Sequence, residues 1–390
     1  MRKKISILLA SFIIFILLIC FSGCGVIGHR MDEYLMLERM GNGINLGNSL
    51  ECVAREYKHK LRTVNDYETY WHNPEITDEW FVSVKDCGFS TVRIPVSWGE
   101  HLDSEGDIDP EWMNRVKEVV DMALSHDLYV IIDTHHEDWL IPTYERQQEV
   151  AQKLKKLWEQ IAQEFRDYDI QLLFEGMNEP RLRGSSLEWT EGTEESRSVI
   201  NYLNTVFIET VRDSGGKNSE RYLLITDYAG SSGREALSGL EYPDYDNIIV
   251  SIHCYLPHRF TSDDSGEVKW DRTSPEDTEV IQRFKNDLLE LFMKEGIPVL
   301  ITEYGCSEKK SGNGRSEWTK YFTEEMSKIH IHSIWWDNGG KYRLIDRQTN
   351  EITDREVTDL INDSVKTVST NEVFVNPDGK SIRQQRKNVI

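Results

Sequence analysis

With 390 residues, 39% of them hydrophobic and 29% charged, the chain has the composition of a globular protein with a large core, in one large domain or two ordinary ones. Its formal charge of −22 repels phosphate backbones, which excludes nucleic acid as a partner and leaves a neutral polymer open. The six cysteines are scattered without a Cys-x-x-Cys spacing, which points away from a zinc site or a dense disulfide framework and toward isolated buried thiols.

The N-terminus reads as an export signal. Met1-Arg2-Lys3-Lys4 is basic, and Ile5 to Phe21 is an uncharged apolar run, the two parts of a secretory leader. The run ends in Phe21-Ser22-Gly23-Cys24, which resembles a bacterial lipobox. The expectation is a leader over 1–23, lipid on Cys24, a short linker over 24–34, and membrane attachment at the cell surface. Ordinary secretion and an uncleaved membrane anchor are the alternatives.

From about residue 40, short apolar runs alternate with longer amphipathic ones. Strands are expected at Gly43–Asn48, Thr91–Val96, Leu128–His135, Ile170–Asn178, Tyr222–Tyr228, Ile248–Tyr255, Ile297–Tyr304 and His332–Asp337. Runs such as Tyr129-Val130-Ile131-Ile132 are continuously apolar, as parallel strands covered on both faces must be. Helices are expected at Thr77–Cys87, Pro110–Ser125, Glu145–Phe165, Glu194–Val211, Gly233–Leu240, Pro275–Lys294, Glu317–His330 and Arg355–Asp363. In the second of these, Asp109 caps, Pro110 takes the first turn, and Met113, Val116, Val119, Val120 and Leu124 trace one face. This alternation is that of a (β/α)8 TIM barrel, one catalytic domain over 35–365 followed by a tail over 366–390. A doubly wound open sheet is the alternative, but the first strand lacks a glycine-rich turn leading into a helix.

Polar residues gather where these strands end: Asn45 and Asn48, Arg93, His135 and His136, Asn178 and Glu179, His253 and Tyr255, Glu303, then Trp335-Trp336-Asp337-Asn338. The C-terminal rim of such a barrel carries its chemistry. Two glutamates on opposite sides of one rim suggest acetal hydrolysis, which needs a proton for the leaving oxygen and a carboxylate facing the oxocarbenium-like centre.

The ordered motifs Ile44-Asn45-Leu46-Gly47-Asn48, Val92-Arg93-Ile94-Pro95-Val96-Ser97-Trp98, Leu173-Phe174-Glu175-Gly176-Met177-Asn178-Glu179-Pro180, His253-Cys254-Tyr255, Thr302-Glu303-Tyr304-Gly305 and Trp336-Asp337-Asn338-Gly339 together resemble glycoside hydrolase family 5. The likeness is to its bacterial endoglucanase and xyloglucanase branch, subfamily 4, over about residues 35 to 365. The resemblance implies that Glu179 is the acid/base and Glu303 the nucleophile. It implies that Asn178 binds the sugar 2-hydroxyl, and that Arg93 and Tyr255 hold Glu303 ionised while Glu179 stays protonated. His135 and His253 would line the same subsite, Asn45 would support it, and Trp336 would form its floor. Of His135 and His136, the spacing from Asp133 favours His135. Trp71 and Asn338 are weaker candidates for sugar contact.

Other readings compete at several positions. His135-His136 with Glu137 suggests a metal, but neighbouring side chains on a strand point to opposite faces, and His330-Ile331-His332 enters the eighth strand at the far end. Trp139, Trp189, Trp270 and Trp318 are platforms or packing; Trp158 is core. The family often has Ala-Trp-Gly-Asn-Pro where this chain has Tyr70-Trp71-His72-Asn73-Pro74, a change that could reshape the distal groove. The expectation is a cofactor-free, metal-free, monomeric retaining endo-β-1,4-glucanase acting on cellulose and related β-glucans. Xyloglucan, mixed-linkage glucan (lichenan) and mannan are rival substrates, and a non-catalytic glycan-binding protein is the rival class.

Overall fold

The computed structural model describes residues 32–263, 269–308 and 312–368. The leader, Cys24 and the tail beyond 368 lie outside the described residues. Eight parallel strands close on themselves in sequence order: β1 (Gly43–Asn45), β2 (Thr91–Ile94), β3 (Tyr129–Asp133), β4 (Leu172–Glu175), β5 (Leu223–Thr226), β6 (Ile248–Cys254), β7 (Val299–Tyr304) and β8 (Ser333–Trp335). β1 pairs with both β2 and β8, which seals the barrel. This is the expected (β/α)8 fold, and every expected strand is present. Most strands are shorter at the top than their apolar runs, because the chain leaves the ladder there to form the loops that carry the polar residues.

The helices are α1 over 32–40, then α2 (Val64–Glu68), α3 (Asp78–Asp86), α4 (Pro110–Ser125), α5 (Gln147–Glu164), α6 (Glu194–Asp213), α7 (Arg234–Ser238), α8 (His258–Thr261), α9 (Pro275–Leu291), α10 (Gly314–Ser327) and α11 (Arg355–Val368). One outer helix follows each strand, α3 to α7 and α9 to α11, near the expected bounds. In α4 the Asp109 carboxylate accepts from Glu111 N–H at 2.9 Å and Pro110 opens the helix, so one orphan donor is satisfied where proline has none to offer.

Alternation along the strands divides the core in two. Val130, Ile132, Leu172, Phe174, Val250 and Ile301 face outward into the layer shared with the helices. Ile131, Leu173, Leu224, Ile249, Leu300 and Ile334 face inward and fill the barrel floor. Each such side chain, buried on a strand covered on both faces, contributes about 1.5–3 kcal/mol. The helix over 32–40 was not expected. It plugs the bottom with Met36, Leu37 and Met40, and a nine-residue stretch whose apolar residues run consecutively from Tyr34 to Leu37 shows no helical period to announce it. No helix of the described residues is long and apolar enough to cross a membrane. Cys52, Cys87, Cys254 and Cys306 are free, buried thiols.

Candidate active site

Glu303 lies within β7, and its Cα partner across the ladder is His253 of β6. The register slips between Ile252 and His253, and again on the β8 side between Ile301 and Tyr304. Such irregularities re-aim side chains at a barrel rim. Glu179 stands in the loop four residues past the end of β4, where Asn178 N–H still bonds to Thr134 O at 3.1 Å. These placements bring one carboxylate oxygen of Glu179, one of Glu303 and a ring nitrogen of His253 within 4.8 Å of one another.

Both carboxyls are held by directed bonds. Glu303 accepts from Arg93 Nη1 at 2.8 Å and from the Tyr255 hydroxyl at 3.0 Å. Glu179 is 2.9 Å from His253 Nδ1 and 3.5 Å from Arg181 Nη1. Asn178 gives its side-chain oxygen to Arg93 Nη2 at 2.7 Å. Its amide nitrogen lies 3.3 Å from His135 Nε2. His135 is fixed from below by Asp133, Nδ1 to Oδ2 at 2.7 Å. His135 is the histidine that the spacing from Asp133 favours, and that aspartate holds its ring.

Trp336 is half-buried, and its ring runs parallel to that of His135 at 6.0 Å between centroids. Such a face accepts the flat side of a pyranose. His136 turns aside, edge-on to Trp71 at 5.6 Å. Trp71 is half-buried, and Asn73 beside it ties that segment to the loops after β1 and β8 through Asn48 O and Asn338 O. Asn45 does not reach the cleft. It is fully buried, bonded to Thr302 O, Ile334 O and Trp335 O, with its oxygen on Arg93. Asn338 turns its own oxygen back onto Gly340 and Tyr342 N–H. Trp270 and Trp318 are core, as is Trp158. Trp189 is 65% exposed, and its ring lies 4.0 Å from the Arg181 guanidinium. Glu137 accepts from the backbone of Trp98 and Gly99, so it braces the loop after β2.

Burial raises the Glu303 carboxyl above its ordinary range, against the pull of His253 and Arg93. Burial acts on Glu179 too, but the hydrogen bond and charge of His253 outweigh it and hold Glu179 down at about 2. His253 is raised in turn, because the Glu303 and Glu179 carboxylates outweigh its desolvation. Without substrate the shared proton therefore rests on His253, one hydrogen bond from Glu179. Burial keeps the Tyr255 hydroxyl protonated, a donor to Glu303. Among the described residues, Glu179, His253 and Glu303 are also the one group spaced to hold a metal. The guanidinium charges 2.8 Å from Glu303 and 3.5 Å from Glu179 oppose a cation there.

Sequence reading gave no role to Arg181 or Glu175, and used Asp133 only to choose between histidines. All three touch the machinery. Glu175 carried a signal: a lone acid ending the apolar run Leu172-Leu173-Phe174 must find a buried partner. Arg181 carried none, since a loop arginine is ordinarily solvated.

The fold and motifs have recorded relatives. Residues 54–342 match the family model for cellulase (glycosyl hydrolase family 5). The chain is 39% identical over 322 residues to Endoglucanase A of Clostridium longisporum, covering 80% of this chain and 62% of that protein; it thus spans less than two thirds of that relative's length. It superposes at TM-score 0.80 and 36% identity on the GH5-4 broad specificity endoglucanase from Ruminococcus champanellensis with bound cellotriose, covering 84% and 97% of the two chains. It superposes at TM-score 0.81 and 34% identity, over 86% and 99%, on a GH5 xyloglucan-specific endo-beta-1,4-glucanase from a metagenomic library, in complex with cellotriose. With its closed barrel and paired glutamates at one rim, the chain belongs to glycosyl hydrolase family 5, in the subfamily 4 branch of its endoglucanases.

Proposed function

We propose that the chain is a retaining endo-β-1,4-glucanase, with soluble or amorphous cellulose as first substrate and mixed-linkage β-glucan accepted beside it. The observation that carries this reading is the approach of Glu179 and Glu303 oxygens to within 4.8 Å. Carboxyls about 5–5.5 Å apart leave no room for a water between them and the sugar, and direct attack follows, whereas inversion needs about 6.5–9.5 Å.

Glu303 attacks the anomeric carbon from one face as the glycosidic bond breaks, forming an ester. Glu179 gives a proton to the leaving oxygen. A sugar covering the site strips water from the His253–Glu179 pair, and a drier site favours the neutral form over the ion pair. The proton then moves from imidazolium to carboxyl, where the leaving oxygen meets it. In the second half, Glu179 takes a proton from water as the water attacks the ester. Asn178 donates to the 2-hydroxyl, a bond that strengthens in the transition state. No cofactor enters this chemistry.

Reducing-sugar release from carboxymethylcellulose, barley β-glucan, xyloglucan, mannan and xylan tests the substrate. Strong activity on the first two, lost in folded Glu303→Gln, is expected; activity confined to xyloglucan or mannan would keep the mechanism and replace the substrate. Glu179→Ala should regain turnover with a good leaving group or with azide, and no rescue in a folded variant would remove its acid/base role.

We also propose export and attachment through lipid on Cys24, supported by the basic start, the apolar run and Ser22-Gly23-Cys24. Cys24→Ser should move the protein from the membrane fraction to the medium; an unchanged membrane fraction would count against the lipid.

A further inference from the structure

Arg93 has no exposed surface, and each of its five N–H groups meets a side-chain oxygen. Nε donates to Glu175 at 2.6 Å; Nη1 donates to Asn45 at 3.0 Å and Glu303 at 2.8 Å; Nη2 donates to Asp133 and Asn178, each at 2.7 Å. Three of these acceptors are carboxyls facing a single positive charge. Glu175 and Asp133 are fully buried and spend every oxygen as an acceptor. Glu175 Oε1 takes the Ser251 hydroxyl at 2.7 Å, and Asp133 takes Val96 N–H at 2.8 Å and His135 at 2.7 Å. Acceptance on both oxygens is the pattern of ionised carboxylates, although burial pushes Asp133 up to about 6 against the pull of Arg93 and Val96 N–H.

A lone arginine beside a nucleophile would act by its charge. Here that charge is already divided. We infer that Glu175 and Asp133 are positioning residues for Glu303: they balance Arg93, so that it holds the nucleophile by geometry without net positive charge, and they set the pH at which Glu303 takes up a proton. The inference rests on the reading of Glu303 as nucleophile. The other titratable groups facing Glu303 are Arg93 from β2, Glu179 after β4, His253 from β6 and Tyr255 just past its end.

The test is the pH profile of kcat/KM on a soluble β-glucan oligosaccharide. Glu175→Gln keeps shape: its amide oxygen can still accept from Arg93, and its amino group can donate to Ser251 once that hydroxyl turns to Thr302, 2.6 Å away. With one negative neighbour gone, Glu303 ionises more easily, and the acid limb should move to lower pH by on the order of one unit. Glu175→Asp keeps the charge and shortens the reach, so kcat should fall while the limb stays. A limb unmoved in folded Glu175→Gln, or moved as far by Glu175→Asp, overturns the inference. If Glu175→Gln does not fold, Asp133→Asn removes the other charge and should shift the limb the same way; an unmoved limb again overturns it. Activity in folded Glu303→Gln would instead overturn the nucleophile assignment itself.

Discussion

His253 Nδ1 lies 2.9 Å from Glu179, and the same nitrogen is 3.5 Å from Glu303, so one imidazole spans the gap between the two carboxyls. Because those carboxylates raise His253 above its ordinary 6.5, the pair keeps its proton to higher pH than a lone carboxyl would. Activity should therefore be lost on the alkaline side only above pH 6.5, as the pair gives up that proton. On the acid side it should be lost above pH 4.5, as the raised Glu303 takes one up. His253→Gln keeps a hydrogen-bonding side chain but stores no proton, and its alkaline limb should fall by on the order of one unit or more. An unmoved alkaline limb would show that the imidazole only packs.

Arg93 fixes the orientation of Asn178 by binding its oxygen at 2.7 Å, and with one amide N–H turned to His135 Nε2 at 3.3 Å the other is left for the sugar. Asn178→Asp replaces that donor by an acceptor and adds a charge to an already crowded guanidinium. Losing one preorganised donor costs about 10²–10³ in kcat, and the loss should appear in kcat with KM little changed. Steady-state kinetics on cellotetraose decides it, and a pure KM effect would place Asn178 in ground-state binding.

Gly47 leaves room for the floor of the cleft. A Cβ there would stand 2.8 Å from Asp337 O and 3.0 Å from the Trp336 ring. The loop after β8 cannot yield, since the Asp337 carboxylate ties down Gly339, Leu344 and Ile345 N–H. Gly47→Ala should therefore tilt Trp336 into the cleft, cost about 1–3 kcal/mol as overpacking does, and raise KM for cello-oligosaccharides. Thermal melting and KM together check it; a normal KM with a lowered Tm would confine the effect to stability.

What the sequence made legible follows from where each signal lives. Strands covered on both faces must be apolar throughout, so runs such as Tyr129 to Ile132 declared the barrel. Polar residues at strand ends declared the rim. Bonds between residues far apart in the chain were not legible: nothing local to Asn45 says that it turns inward to Thr302 O and Arg93. The expected asymmetry, with Arg93 and Tyr255 holding Glu303 ionised while Glu179 stays protonated, is reversed by the surroundings: burial raises Glu303 and His253 lowers Glu179. His253 and Arg181 both face Glu179, and Arg93 is shared among three carboxyls. Helix α1 escaped because its face is defined by the barrel floor it covers, not by its own sequence.

His72 replaces a glycine often found at this point of the family's motif, and the backbone explains that glycine: φ here is +73°. A left-handed residue with a Cβ costs about 1–2 kcal/mol, while glycine loses about 0.5–1 kcal/mol of that advantage to chain entropy. The imidazole is exposed, so little packing offsets the strain. His72→Gly should raise Tm slightly, by about 1–2 °C. His72→Val should lower it by more, since a branched Cβ tolerates positive φ least. If His72→Gly melts lower than the parent, the imidazole makes a contact worth more than the strain. A matching rise in KM on β-glucan oligosaccharides would then place that contact at the distal groove beside Trp71.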